Sequence, residues 1–296
     1  MTRHTENFSG RPVSVVSPDD SRNVMRITLT RGLFFDLFIA LTSGLFFSLI
    51  AVVLFAMVTT TSLHEFFHQL RSPVVFSAVW ISLQTSFAVV FLTFFFGFPI
   101  SYLLALNHFK GKAILETLLD FPIVMPPLIS GLALLIFLSG DGLAGRILNH
   151  WNISLIFTKK GIILAQLFVA APFFIKTAKE SIGAIPKNLL AASATLSASK
   201  FFTFRRLILP LSKTGILAGL IMAWARALGE FGATAMVAGC IPRQTETITI
   251  AIYMHAMSGN LETSTALALV LMVFSFCSLL VFRAIFKKKR ENGYYA

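Results

Sequence analysis

Arg226 and Glu230 stand four residues apart inside a long apolar stretch, so a helix would place both on one face. Ionisable groups inside hydrocarbon are costly and turn towards protein or water. Two readings follow: a mutual ion pair that locks helix packing, or a guanidinium that lends positive potential to an anion path while the carboxylate positions it. Other chemistry-bearing residues are sparse. His64 and His68 lie one turn apart with no third ligand nearby, and Cys240 and Cys277 have no CxxC spacing, so neither a metal nor a disulfide is expected. There is no GxxxxGK[ST] phosphate loop, no GxSxG elbow and no HExxH pair. No catalytic residue and no cofactor are expected, and any ATP hydrolysis falls to a partner.

The elements that hold these residues are apolar throughout. The 296 residues are 56% hydrophobic and 13% charged, far below the charged share of soluble domains, and 31 of them are Phe against 3 Trp and 4 Tyr. A membrane class follows, with most Phe facing lipid or neighbouring helices. A net charge of +12 in a soluble chain would suggest nucleic acid, but here the basic residues sit between and after apolar segments. They report topology, and no nucleic-acid partner is expected.

About 20 apolar residues cross a bilayer as helix. Six stretches qualify, at 33–58, 75–106, 118–139, 161–178, 214–239 and 263–285, with Pro172 inside the short fourth. Residues 1–30 are polar and lack the apolar core of a signal peptide, so they are expected to form a cytoplasmic tail. The transmembrane domain then covers 31–286, and a second cytoplasmic tail, 287–296, opens with the KKKR run. Lys and Arg concentrate on one side, above all Lys176, Lys179, Lys187, Lys200, Arg205, Arg206 and Lys213 between spans four and five, whereas the opposite loops hold Arg71, Arg146, Lys159, Lys160 and Arg243. Both termini are therefore placed in the cytoplasm; a five-span alternative with a re-entrant fourth segment would put that basic stretch outside.

Within the spans the polar groups are mostly neutral, among them Ser82, Gln84, Thr85, Ser86, Thr93, Ser101, Ser130, Gln166 and Thr234. Hydroxyls and amides suit passage of a divalent oxyanion, because conduction needs weak sites, although interhelical hydrogen bonds are the commoner use. Secondary transporters carry coupling carboxylates and repeats. Here Asp36 and Asp120 lie at span ends, Glu230 has a basic neighbour and no repeat is evident, so a secondary transporter is the more distant alternative.

The segment 185–212 is helix-compatible and much less apolar than a span. Its small residues Ala191, Ala192, Ser193, Ala194, Ser197, Ala198 and Ser199 let another protein approach closely, while Phe201, Phe202 and Phe204 can anchor it. The segment resembles the cytoplasmic signature of ABC importer permeases, Glu-Ala-Ala, three residues, Gly, nine residues, then aliphatic-any-Leu-Pro. The first three positions fall on Ala191, Ala192 and Ser193, the Gly on Ser197, and the ending on Leu207 to Pro210, so the spacing is kept while the acid and the glycine are absent. The runs 121–137, 163–175 and 225–253, the last containing GEFGAT and ITIAIY, are similar to molybdate permeases, with sulfate, thiosulfate and tungstate permeases as neighbours.

The resemblance implies an all-helical type I ABC importer permease with about six spans, in the inner membrane of a prokaryote. It implies an ATPase-coupling set of Ala191, Ala192, Ser193, Thr195, Leu196, Ser197, Ala198 and Pro210. It also implies four partners: two P-loop ATPase subunits, a secreted or periplasmic oxyanion-binding protein, a second copy forming a homodimer, and the lipid bilayer. Molybdate is the expected cargo.

Overall fold

The computed structural model describes residues 18–59 and 63–292, with side chains from 35 to 280 apart from 60–63 and 65. Among the described residues every regular element is helical. The chain divides into two units, 1–59 and 60–296. The first holds one helix, α1 (Pro18–Thr59), whose part Phe35–Thr59 is long and apolar enough to cross a membrane. The polar residues 18–30 continue that helix, and 1–17 lie outside the described residues.

The second unit runs through α2 (Leu63–Leu70), α3 (Pro73–Leu106), α4 (Lys112–Val124), α5 (Pro127–Leu138), α6 (Leu143–His150), α7 (Lys159–Gly183), α8 (Lys187–Thr195) and α9 (Lys200–Thr203). A wide π turn, Phe204–Ile208, leads into α10 (Leu209–Leu228), followed by α11 (Gly232–Ala238), α12 (Ile248–Met257) and α13 (Leu261–Asn292). The run at 287–290 is helical, as the end of α13. Long apolar helices are Pro73–Leu106, Lys159–Gly183, Lys200–Leu228 and Leu261–Leu280; with α1 they make five candidate spans, or six if α4 and α5 count as one.

Local chemistry sets the helix starts. Ser72 accepts the N–H of Val75 at 3.4 Å while Pro73, which has no N–H to leave unpaired, opens α3. Thr158 does the same for α7 through Gly161 at 3.3 Å. Hydrocarbon gives no hydrophobic reward for pairing two apolar helices, so close backbone approach must supply the attraction. Phe174 of α7 is fully buried between two notches: a Cβ on Gly97 of α3 would lie 2.9 Å from its ring, and one on Gly219 of α10 3.1 Å. Ser101 ties the same helices by donating to the carbonyl of Ile175 at 3.1 Å. α7 is thereby the centre of the unit, with α3 and α10 on it. At the other end Val75, Ala78, Ile248, Ala251 and Leu267 join α3, α12 and α13.

Two of the expected spans are broken. The stretch 118–139 is not one helix: α4 and α5 meet at a 114° bend. Pro126 forces Met125 into extended geometry (ψ 134°), and Pro127 begins α5 without a donor, so the ladder cannot cross 125–127. Span 214–239 also breaks, at Gly229–Phe231, between α10 and α11.

Candidate functional site

The segment between α7 and α10 folds as helix, turn, helix rather than one continuous helix. α8 ends in a paired cap: Ser197 N–H bonds the carbonyl of Ala194 at 3.0 Å and Ala198 N–H that of Ser193 at 3.1 Å. This requires a left-handed residue, and Ser197 takes it with φ of 52°. Glycine occupies the matching place in the signature that the sequence resembles, and the geometry gives the reason: no Cβ opposes that φ. Thr195 turns its hydroxyl back on Ala192 O at 2.8 Å. Ser199 then caps α9 by accepting the N–H of Phe202 at 3.2 Å, and the hydroxyls of Ser193 and Thr203 join the two helices.

One side of this hairpin is fastened to the bundle. Leu190 and Phe204 pack on Ile182, Ile185 and Ile208, as do Phe98 and Tyr102 of α3. The ring of Phe204 is 5.7 Å from Phe98 and 5.9 Å from Tyr102. The three phenylalanines of the segment are placed differently. Phe204 anchors, whereas Phe201 and Phe202 are 70% and 56% exposed, because the α9 turn points them away from α3. Ala191, Ala192, Thr195, Leu196 and Ser197 are exposed with them. Ala192, Ser193, Leu196, Ala198 and Phe202 line a groove of about 580 Å³. Pro210 borders a second depression with Phe201, Phe202, Arg205 and Arg206. Pro210 has no N–H to give to Arg206 O, and the chain widens there: Leu209 N–H reaches back five residues to Phe204 O.

Arg226 and Glu230 do meet, Nη2 to Oε2 at 2.6 Å. They are not on one continuous helix, since Glu230 lies in the break after α10. Its Oε1 accepts the N–H of Ala233 at 2.8 Å, and its own carbonyl accepts the hydroxyl of Thr249 at 2.8 Å. Glu230 is 1% exposed, whereas the Arg226 side chain keeps 26% of its surface open. Arg226, Glu230, Pro127, Leu128 and Gly232 surround a pocket of about 300 Å³ where the two broken spans come together.

The neutral polar residues of the spans are mostly core. Ser82, Thr85, Ser86, Thr93, Ser101, Ser130, Gln166 and Thr234 are all buried, while Gln84 is exposed. Ser82 accepts the N–H of Ile248 at 2.8 Å, and Ser86 that of the Trp224 ring at 3.1 Å. Sequence reasoning missed Glu246, buried between Thr245 and Thr247 ahead of α12, since a polar loop reads as exposed. It also missed that two basic residues from the positive stretch are paired: Lys176 with Asp120 at 2.9 Å and Lys179 with Glu116 at 3.0 Å, which holds α4 along α7. His64 and His68 lie on α2; Cys240 is half-buried and Cys277 exposed.

The family model described as "Binding-protein-dependent transport system inner membrane component" matches residues 97–291. The probable transport system permease protein NifC of Clostridium pasteurianum is 35% identical over 69% of this chain and 71% of its own. The molybdenum transport system permease protein ModB of Haemophilus influenzae is 33% identical over 73% of this chain and 95% of its own. The probable sulfate transport system permease protein cysT of Chlorella vulgaris is 31% identical over 74% of this chain and 82% of its own. Among solved structures, a bacterial ABC transporter involved in import of the acidic polysaccharide alginate superposes with a TM-score of 0.68 at 18% identity, covering 90% of this chain and 99% of that one. At that identity the likeness concerns the fold.

Proposed function

The chain belongs to the family of binding-protein-dependent transport system inner membrane components, and we propose that it is the non-catalytic, membrane-spanning permease of an ATP-driven importer whose cargo is molybdate. The observation that carries this reading is the hairpin of α8 and α9. It is fastened to the bundle by Phe204 and Leu190 and presents Ala192, Leu196, Ala198 and Phe202 on its free side. Small residues beside exposed aromatics make a seat for another protein's surface, and a P-loop ATPase is the partner that such a subunit needs. Coupling runs from Ala191, Ala192, Ser193, Thr195, Leu196, Ser197 and Ala198 through the π turn and Pro210 into α10.

The assembly we infer has two permease copies, two ATPase subunits and a periplasmic oxyanion-binding protein, in the inner membrane of a prokaryote. The excess of Lys and Arg between α7 and α10 supports termini in the cytoplasm. Molybdate is supported by the ModB relatives, which align over nearly their whole length. The cysT relatives, at similar identity, support sulfate as a second reading. Both ions are tetrahedral dianions, so discrimination falls to the binding protein.

Proteoliposomes carrying the permease and its ATPase test this. A molybdate-loaded binding protein should stimulate both ATP hydrolysis and uptake. Stimulation by a sulfate-loaded partner alone would transfer the cargo to sulfate, and no stimulation by any oxyanion-loaded partner would remove the oxyanion cargo altogether.

A further inference from the structure

We propose that the pocket at the two span breaks is an oxyanion transit site in which Arg226 is the contact and Glu230 is its resident stand-in. The proposal rests on the importer reading and names a residue of the path. Three observations converge there. First, both breaks interrupt the backbone ladder inside apolar sequence, at 125–127 and 229–231, and irregular backbone at membrane depth is tolerated only where protein or water covers it. Second, Arg226 keeps a quarter of its side chain open at that place, and a guanidinium does not face hydrocarbon. This face is therefore wet or covered by protein. Third, the two partners of the ion pair are held very differently.

Glu230 is fixed on every side. Its Oε1 takes the Ala233 N–H, its N–H bonds Ala227 O at 3.1 Å, and its carbonyl takes the Thr249 hydroxyl. Arg226, on the last turn of α10, is the more open member. Oε2 of Glu230 has the guanidinium, at 2.6 Å, as its partner and accepts no hydrogen bond from any other described group. An oxyanion that offers its oxygens along the N–H directions competes well for Arg226, because aligned charge-assisted bonds are the strong ones. When it leaves, Glu230 takes the guanidinium back. The exchange keeps the arginine charge-balanced throughout and prevents a deep trap, which a conducting path requires.

The test places a thiol in the pocket. In a chain with Cys240 and Cys277 changed to Ala, Leu128→Cys is introduced; Leu128 lines the pocket and is 54% exposed. In the complex with its ATPase, a sulfonate-bearing methanethiosulfonate should modify that thiol about tenfold faster, relative to a cationic reagent, than it does in the Arg226→Gln background, the size of effect expected from local charge focusing. Inorganic molybdate should slow the sulfonate reagent with Arg226 intact, and Arg226→Lys should keep the preference. Glu230→Gln should strengthen both. Equal reagent ratios in the Arg226 and Arg226→Gln chains, or no protection by molybdate when Arg226 is intact, would overturn the proposal; the protection arm needs no variant of the pair and so does not depend on how those variants fold. Failure here with binding-protein-stimulated ATP hydrolysis still present would remove this site and leave the importer reading in place.

Discussion

Gly131 and Ala233 pack backbone against backbone: a Cβ at position 131 would fall 2.7 Å from the Cα of Ala233. Through them α5 and α11, the short far halves of the two broken spans, are joined. Since hydrocarbon offers no transfer energy for apolar pairing, that proximity is where their attraction arises. Gly131→Ala should therefore cost about 1–3 kcal/mol by overpacking. Thermal unfolding of the purified chain in one detergent reads it, with Gly183→Ala, whose added Cβ meets nothing within 4 Å, as the control that carries only the small gain of replacing a helical glycine. Equal stability of the two variants would rule out the close approach.

Ser197 holds a left-handed backbone at the end of α8. An L residue there costs about 1–2 kcal/mol, so Ser197→Gly should raise the stability of the hairpin by up to about 1 kcal/mol after its extra freedom in the unfolded chain is counted. Ser197→Val should lower it. Hydrogen exchange over 187–199 reports the change locally, and a valine variant as protected as wild type would contradict the cap.

Ala192 and Ala198 line the groove on the free side of the hairpin. Replacing either with Trp should overfill the contact with the ATPase and cut transport at least about tenfold, the factor that follows from losing 1.4 kcal/mol of coupling. Membrane insertion should be unaltered. Unchanged transport in both variants, with the ATPase still bound, would show that another surface couples.

Arg226 and Glu230 should be interdependent in folding. Arg226→Met leaves the buried Glu230 carboxylate uncompensated, at about 3–5 kcal/mol, and Glu230→Gln leaves the quarter-open Arg226 unpaired at a smaller cost, so each should reduce folded protein. The double variant should recover part of the loss but not all, because the Ala233 N–H also loses its charged acceptor. Strict additivity in the cycle would mean that the two charges are solvated separately.

The spans were legible because length and apolarity are set by the bilayer itself, while the segment from Ala191 to Pro210 was read as helix-compatible without the turn that divides α8 from α9. The breaks were harder. Pro126–Pro127 and the Gly229–Gly232 bracket were visible, but hydropathy averages over 20 residues and passes through a bend as if it were straight. Arg226 and Glu230 were rightly paired by four-residue spacing, although the capping of Ala233 by Glu230 needs the break that periodicity hides. Phe201 and Phe202 were read with Phe204 because composition does not tell which aromatic faces α3 and which faces outward. Glu246 went unnoticed for a similar reason: burial of a loop is decided by the helices around it.

The π turn at Phe204–Ile208 contains one residue more than an α-helical turn would need, between the hairpin and α10. Each residue of α-helix corresponds to about 100° of rotation about the axis. The joint therefore acts as an angular setting: removing that residue would leave the helix unbroken and swing the free face of α8 and α9 by about 100° around α10. The bearing of the exposed face of α8 and α9 about the α10 axis is thus set by backbone winding, independently of the side chains that this face carries.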